Sequence, residues 1–259
     1  MNGLLAVWPR EWSRERRSTA TIAVASLALL LFLWVLGRLL SLLPDPVHTW
    51  AGEFAKGTVV TLELTIASGL LGMVMGVLAA VAKMSRIWPV RLVAEFYIWV
   101  LRGTPLLVQI LFVYFALPSR LSLTEFHSAV LALGLNVGAY NAEAIRAGIQ
   151  AVPKGQTEAA RSLGLKPLQT FRHVVFPQGM KIALPPLVNN IVALLKDSSL
   201  AYSIGVLELA NAGNRANAQT FLPIPLFTTT AAIYLVLTTV MTQISGAIEH
   251  QLDVEGRAV

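Results

Sequence analysis

Polar and apolar positions along this chain fall into long blocks. Residues 20–37 carry no charged side chain, and an apolar run continues to Leu43 before Pro44, Asp45 and Pro46 stop it. About 20 helical residues are needed to cross a bilayer core, so this block predicts a membrane-spanning helix. Arg10, Arg14, Arg16 and Arg17 precede it, as they would a secretory leader. Its apolar core is longer than the roughly 7–15 residues of a leader, and no small-residue cleavage site follows, so a retained span is expected. Residues 64–82 form a second charge-free block, with its helix predicted to begin near Gly57. Within it Gly72 and Gly76, with Ser68 one turn earlier, give the small-residue spacing that lets helices approach closely in lipid.

Three further blocks are interrupted. Residues 90–117 contain Glu95, Arg102 and Pro105; residues 126–147 contain Glu143 and Arg146; residues 180–207 contain Lys196 and Asp197. Pro185 and Pro186 are expected to split this fifth block into two half-helices. The last block, near 221–248, is again free of charge. The pattern predicts six transmembrane helices and an all-α integral membrane protein, because a helix in lipid satisfies its own backbone hydrogen bonds.

Composition agrees: 55% of residues are hydrophobic and 13% charged, against roughly 25% charged in soluble domains. No cysteine is present, which excludes a disulfide framework and thiolate metal ligation, and no metal site is expected. The net charge of +6 is not gathered on a basic face with interleaved aromatics, so nucleic acid is not an expected partner. The charge sorts by side of the membrane instead. With six spans, one side carries Arg10, Arg14, Arg16, Arg17, Lys83, Arg86, Arg91, Arg146, Lys154, Arg161, Lys166, Arg172, Lys181 and Arg257, and the other only Lys56, Arg120 and Arg215. Positive charge accumulates inside, so both termini and the segment between the fourth and fifth spans are expected in the cytoplasm.

That segment, residues 153–177, is polar and helix-forming. Pro153 and Gly155 open it, and "QTEAARSL" reads as about two helical turns with Glu158 in the first. Gly164 is the left-handed stop, and a second short helix, "PLQTFRHVV", is expected to end at Pro177. Small residues Ala159, Ala160 and Ser162 beside Glu158 and Arg161 suit insertion into a partner's groove; a solvated connector has the same pattern, and the residues alone leave both open.

Glu158, Ala159 and Ala160, then three residues, Gly164, nine residues, and Val174, Phe176 and Pro177 resemble the signature loop of ABC importer permeases, which more often have Ile and Leu at the Val174 and Phe176 positions. "RGTPLLVQ" (102–109), "AEAIRAGIQAVPKGQ" (142–156), "FPQGMKIALPPLVNN" (176–190) and "LLKDSSLAYSIGVLEL" (194–209) are similar to the branch that imports polar amino acids. The resemblance implies a five-helix type I importer core at 50–248 with its coupling loop at 153–177. A cytoplasmic N-terminus and one additional helix at 1–49 would precede it, and a short tail at 249–259 would follow. It further implies a non-catalytic transmembrane permease of the bacterial cytoplasmic (inner) membrane, working by alternating access. Its partners would be ABC ATPase subunits carrying ATP and Mg2+, a second permease subunit (identical or paralogous), a periplasmic or extracellular solute-binding protein, and surrounding lipid. Glu158, Ala159, Ala160, Arg161 and Gly164 would contact the ATPase. The chain has no G-x-x-x-x-G-K-[ST] loop of its own, "KGQT" at 154–157 being a poor fragment of one. A permease for another small solute shares the loop signature, and a self-contained secondary transporter would show internal repeats, which are not found.

Ionisable groups within spans are expensive and are functional candidates. Asn136, Tyr140, Glu143 and Arg146 share one helix face, offering a donor for the carboxylate and an acceptor for the ammonium of an amino acid; Glu143 and Arg146 also have the spacing of a simple ion pair. Lys196, Asp197, Ser198 and Ser199 would mark an unwound pathway lining or the outward mouth, or else Lys196 and Asp197 neutralise each other. Arg102, near Gly103 and Pro105, reads as a gate or helix anchor, or as a side chain snorkelling to the interface.

Overall fold

The first apolar block becomes α1 (Arg14–Leu40), whose start is capped by the Ser13 hydroxyl accepting the Arg16 N–H. α2 (Val47–Lys83) follows, ten residues earlier than predicted. The early start has a local cause: Asp45 Oδ1 accepts the Thr49 hydroxyl at 2.6 Å and the Thr49 N–H at 3.3 Å, anchoring the first turn. Glu53, in the second turn of α2, reaches Arg215 of the later chain at 3.4 Å. The computed structural model describes residues 4–9, 11–116 and 123–251, and every regular element among them is helical. Arg10, Arg120 and Arg257 of the charge count, and residues 252–259 of the tail, lie outside the described residues.

The predicted third span is two helices, α3 (Trp88–Gly103) and α4 (Leu106–Ala116), bent by 111° at Thr104 and Pro105. α5 (Glu125–Gln150) is capped by Thr124. Short α6 (Lys154–Ser162) and α7 (Pro167–Thr170) come next, and a π turn, Phe171–Val175, feeds directly into α8 (Phe176–Asp197). Pro177 therefore does not end a helix. It sits in the first turn of α8, where a missing N–H is tolerated. Nor do Pro185 and Pro186 split α8: Gly179, Ala183 and Leu187, all buried, hold its face against α5 on both sides of the prolines. After a 3-10 segment (Ser198–Ile204) closed by left-handed Gly205, an unpredicted α9 (Leu209–Thr220) precedes α10 (Pro223–Gln251).

By length and apolarity α1, α2 and α10 are able to cross a membrane, and the bent α3–α4 pair makes a fourth. The predicted count of six is not reached on those criteria. α5 falls short because protein surrounds it: Ser128, Asn136 and Asn141 are buried in it where a lipid-facing helix would carry aliphatic side chains.

The most extensive helix pair is α2 with α5. A Cβ on Gly72 would lie 2.2 Å from Val137 Cγ1, and one on Gly76 2.6 Å from Asn141 Cβ. Across the seam Gly134 faces Leu71 and Gly138 faces Met75 at similarly short range, so two small-residue stripes interlock. At the far end of α5, Gly148 and Gly179 bring α8 equally close, a Cβ on Gly148 meeting the Gly179 carbonyl at 2.5 Å. α1 lies against α10 and α2, its Leu36 and Leu40 sharing a core with Phe54, Leu209, Leu226 and Leu237.

Gly76→Val is expected to destabilise the detergent-solubilised protein by about 1–3 kcal/mol, the range for overpacking a tight contact. Gly246→Ala, with open space around it, is the control and should leave the thermal midpoint unchanged or raised. Equal midpoints for the two variants would contradict the seam.

Candidate functional site

The site is built on the break between α3 and α4. Pro105 has no N–H and pushes the preceding Thr104 into an extended conformation (φ −117°, ψ 150°), so the last α3 carbonyls lose their helical partners. Two buried amides replace them. Gln109 Nε2 donates to the Leu101 carbonyl at 2.8 Å and the Thr104 carbonyl at 3.1 Å. Asn136 Nδ2 donates to the same Leu101 carbonyl at 3.1 Å and to Gln109 Oε1 at 3.0 Å. The break itself is exposed at Gly103, Thr104 and Pro105, and these two amides satisfy the carbonyls it frees.

Beside the break lies a cavity of about 250 Å3 between α4, α5 and α8. Thr104, Asn136, Tyr140, Asn190 and Asp197 form its polar lining, with Leu106, Leu133 and Leu194 among the apolar walls. The Arg102 guanidinium stands 5.1 Å from the centre of the Tyr140 ring, a cation–π distance, which puts a positive charge at the cavity's edge. Asn190 Nδ2 donates to Asn141 Oδ1 at 2.9 Å, and Asn141 Nδ2 points to the Gly72 carbonyl at 3.4 Å, threading polar contacts through α8, α5 and α2. One carboxylate, two amides, two hydroxyls and a nearby guanidinium offer both donors and acceptors to a small polar guest.

Asn136, Tyr140 and Asp197 of the expected residues meet at this cavity, with Arg102 and the Pro105 break next to it. The others stand apart. Glu143 is clamped: its Oε2 accepts Arg146 Nη2 at 2.6 Å and Nε at 3.1 Å, while its Oε1 accepts Lys83 Nζ from the end of α2. Arg146 also reaches Gln150 at 2.6 Å. The pairing alternative describes these two residues, with Lys83 as an unforeseen third partner. Lys196 is exposed and forms no ion pair with Asp197, since successive helical positions point in different directions. Ser198 is buried with its hydroxyl bonded to the Leu195 carbonyl at 2.8 Å, and the chain tightens into a 3-10 segment there rather than unwinding. Ser199 is half-buried and outside the cavity lining.

Gln109, Asn141 and Asn190 were not singled out in the sequence, although a polar amide inside an apolar block is itself a signal. Glu208 is a sharper case. Fully buried, it caps α9 by accepting the N–H groups of Ala210 at 2.8 Å and Asn211 at 2.7 Å, and it accepts the Tyr234 hydroxyl of α10 at 2.9 Å. The neighbouring Leu209 N–H donates to Thr61 of α2 at 3.1 Å, so this corner ties three helices together.

The segment after α5 presents α6. Glu158, Ala159 and Arg161 are exposed and Ala160 is buried at 4%. Because α6 starts at Lys154, Glu158 lies in its second turn rather than the first, which weakens any favourable term with the helix dipole. Gly164 has φ +83°; its N–H bonds the Arg161 carbonyl at 2.9 Å and the Leu165 N–H bonds the Ala160 carbonyl at 3.2 Å, a Schellman ending. Leu163 and Leu168 flank it at 83% and 76% exposure.

Residues 72–254 match the family described as binding-protein-dependent transport system inner membrane component. The L-cystine transport system permease protein TcyB of Bacillus subtilis is 39% identical over 199 residues, covering 76% of this chain and 85% of that protein. The arginine transport system permease protein ArtQ of the same organism is 36% identical over 199 residues, covering 76% and 91%. A crystal structure of an amino acid ABC transporter with histidines is 40% identical, covers 78% of this chain and 94% of that chain, and has a TM-score of 0.74. The all-helical fold, the match over most of the chain and these likenesses agree: this chain belongs to the binding-protein-dependent transport system inner membrane components, the non-catalytic permease subunits of ABC importers.

Proposed function

We propose that this permease passes polar amino acids through the cavity beside the α3–α4 break, driven by ATPase subunits seated on residues 153–177. The observation that carries the reading is the cavity's polar lining. Asp197 supplies an acceptor for an ammonium group, while Asn190, Tyr140 and the adjacent Arg102 supply donors for a carboxylate. Relatives named for cystine and arginine transport support the substrate class. Asn136 acts mainly by holding the break that shapes the wall.

In this reading α5 and α8 cross the membrane as well, giving six crossings with both termini in the cytoplasm. Residues 1–49 are an addition to a core at 50–248. A second permease subunit completes the pathway, an external binding protein delivers the solute, and ATP with Mg2+ resides on the ATPases. Closure of the ATPases draws the α6 segments together, and α5 and α8, joined at Gly148 and Gly179, tilt as one body. ATP supplies the bias because it binds one conformation better than the other.

Two tests follow. In proteoliposomes with the ATPase and binding protein, the wild-type chain should support ATP-driven uptake of polar amino acids. Gly164→Val places a side chain at φ +83° and should cost about 1–2 kcal/mol; membrane insertion should stay normal while uptake falls roughly tenfold if docking carries that cost. Uptake and hydrolysis equal to wild type would leave α6 a mere connector. For topology, Ser162 and Ala218, both exposed, are replaced one at a time by cysteine in this thiol-free chain. The first should react only with membrane-permeant reagents and the second with impermeant ones from outside; the opposite pattern would overturn the orientation.

A further inference from the structure

The turn between α2 and α3 closes a groove that the transport reading does not use. Met75, Leu78 and Ala82 of α2 and Val90, Val93 and Tyr97 of α3 line it, it holds about 430 Å3, and its walls are almost wholly apolar. Its deep end is finished by Tyr97, whose hydroxyl is already engaged by the Leu135 carbonyl at 2.6 Å, leaving no free polar group there. From Ala82 back to Met75 the helix rises about 10 Å, most of the depth of one leaflet's hydrocarbon.

Cations cluster at the groove's closed end. Lys83 ends α2, Arg86 lies in the turn and Arg91 is in the first turns of α3. Lys83 is committed to Glu143, and Arg91 makes only a 3.8 Å contact with Glu95, both side chains being about half exposed. Arg86 is exposed and forms no ion pair among the described residues. Trp88, 62% exposed, stands beside them as an interfacial anchor would.

From this juxtaposition we infer that the groove is a binding site for an anionic phospholipid, with one acyl chain between α2 and α3 and the phosphate held by Arg86 and Arg91. The inference rests on placing this turn at the membrane surface, as the transport reading does. A single lipid molecule matches both halves of the site, because it carries an apolar tail and a phosphate a few bonds apart. A helix from a second copy would fill the apolar part but leave the arginine charges at its edge without a counter-ion.

The test uses full-length protein, stripped of lipid in detergent and offered phosphatidylglycerol or phosphatidylcholine with identical acyl chains, one of them photoactivatable. Native mass spectrometry reads retention, and peptide mapping of the photolabel reads location. Phosphatidylglycerol should be retained preferentially, and its label should fall within 75–97. Each of Arg86→Gln and Arg91→Gln should lower that preference about fivefold. Ala82→Phe, which fills the groove from a half-exposed position, should abolish labelling of 75–97 by either lipid. Equal retention of the two lipids by the wild type, labelling elsewhere, or labelling unaffected by Ala82→Phe would each overturn the inference. So would cross-linking of this groove to a second protein copy in place of lipid. Because retention and label position are first read on the wild type, a poorly folding variant does not shield the inference. A free-phosphate site is distinguished by competition: inorganic phosphate displacing the label at millimolar concentration would overturn the acyl-chain half.

Discussion

Lipid gives two helices no hydrophobic reason to associate, so this fold depends on how closely its backbones come together. The α2–α5 seam provides that closeness. Gly72 and Gly76 on one helix and Gly134 and Gly138 on the other leave no space for a Cβ on either side, and dispersion and polar contacts at that range replace the hydrophobic force of a soluble core. Gly148 and Gly179 repeat the device between α5 and α8. α5 is consequently enclosed by protein, and only a helix so enclosed can carry Asn136, Asn141 and Ser128 as buried residues.

The polar architecture follows from that enclosure. At Pro105 the chain gives up helical hydrogen bonds, and Gln109 and Asn136 restore them from two different helices. The cavity is what the bend leaves open, and Asp197, Asn190 and Tyr140 face it because α5 and α8 are locked in register. Towards the other end of α5, Glu143 grips Arg146 and Lys83 about two turns before the helix ends at Gln150. A displacement of α6 would thus reach α5 and, through Gly148 and Gly179, α8, with little give between them.

The sequence made the large blocks legible because α1, α2 and α10 must meet lipid over their length. Helix α6 was legible in the stretch "QTEAARSL", and its left-handed ending at Gly164 through the one residue type that tolerates it. Charge and proline were the poorer guides. Glu53 and Lys56 hid the first turns of α2, which pack on α9 rather than in lipid. Pro177, Pro185 and Pro186 looked like breaks, but α8 is held against α5 by tertiary contacts, whereas Pro105, preceded by the exposed Gly103 and Thr104, does break its helix. The partner stripe Gly134 and Gly138 has the same spacing as Gly72 and Gly76 and was readable, yet only the structure pairs the two. Lys83 with Glu143, and Glu208 with Tyr234, join residues far apart in the chain, and nothing local announces such contacts.

The central claim is that motion of α6 drives the permease, and distance measurement between the two permease copies tests it most directly. A single cysteine at Ala159, exposed on α6, takes a spin label in this otherwise thiol-free chain, with the matching position labelled in the second permease subunit. Double electron–electron resonance is then recorded on the reconstituted complex without nucleotide and with ATP trapped. The expected result is a shorter inter-label distance in the ATP state. A distance that stays the same while the complex hydrolyses ATP and imports its solute would contradict mechanical coupling through this segment.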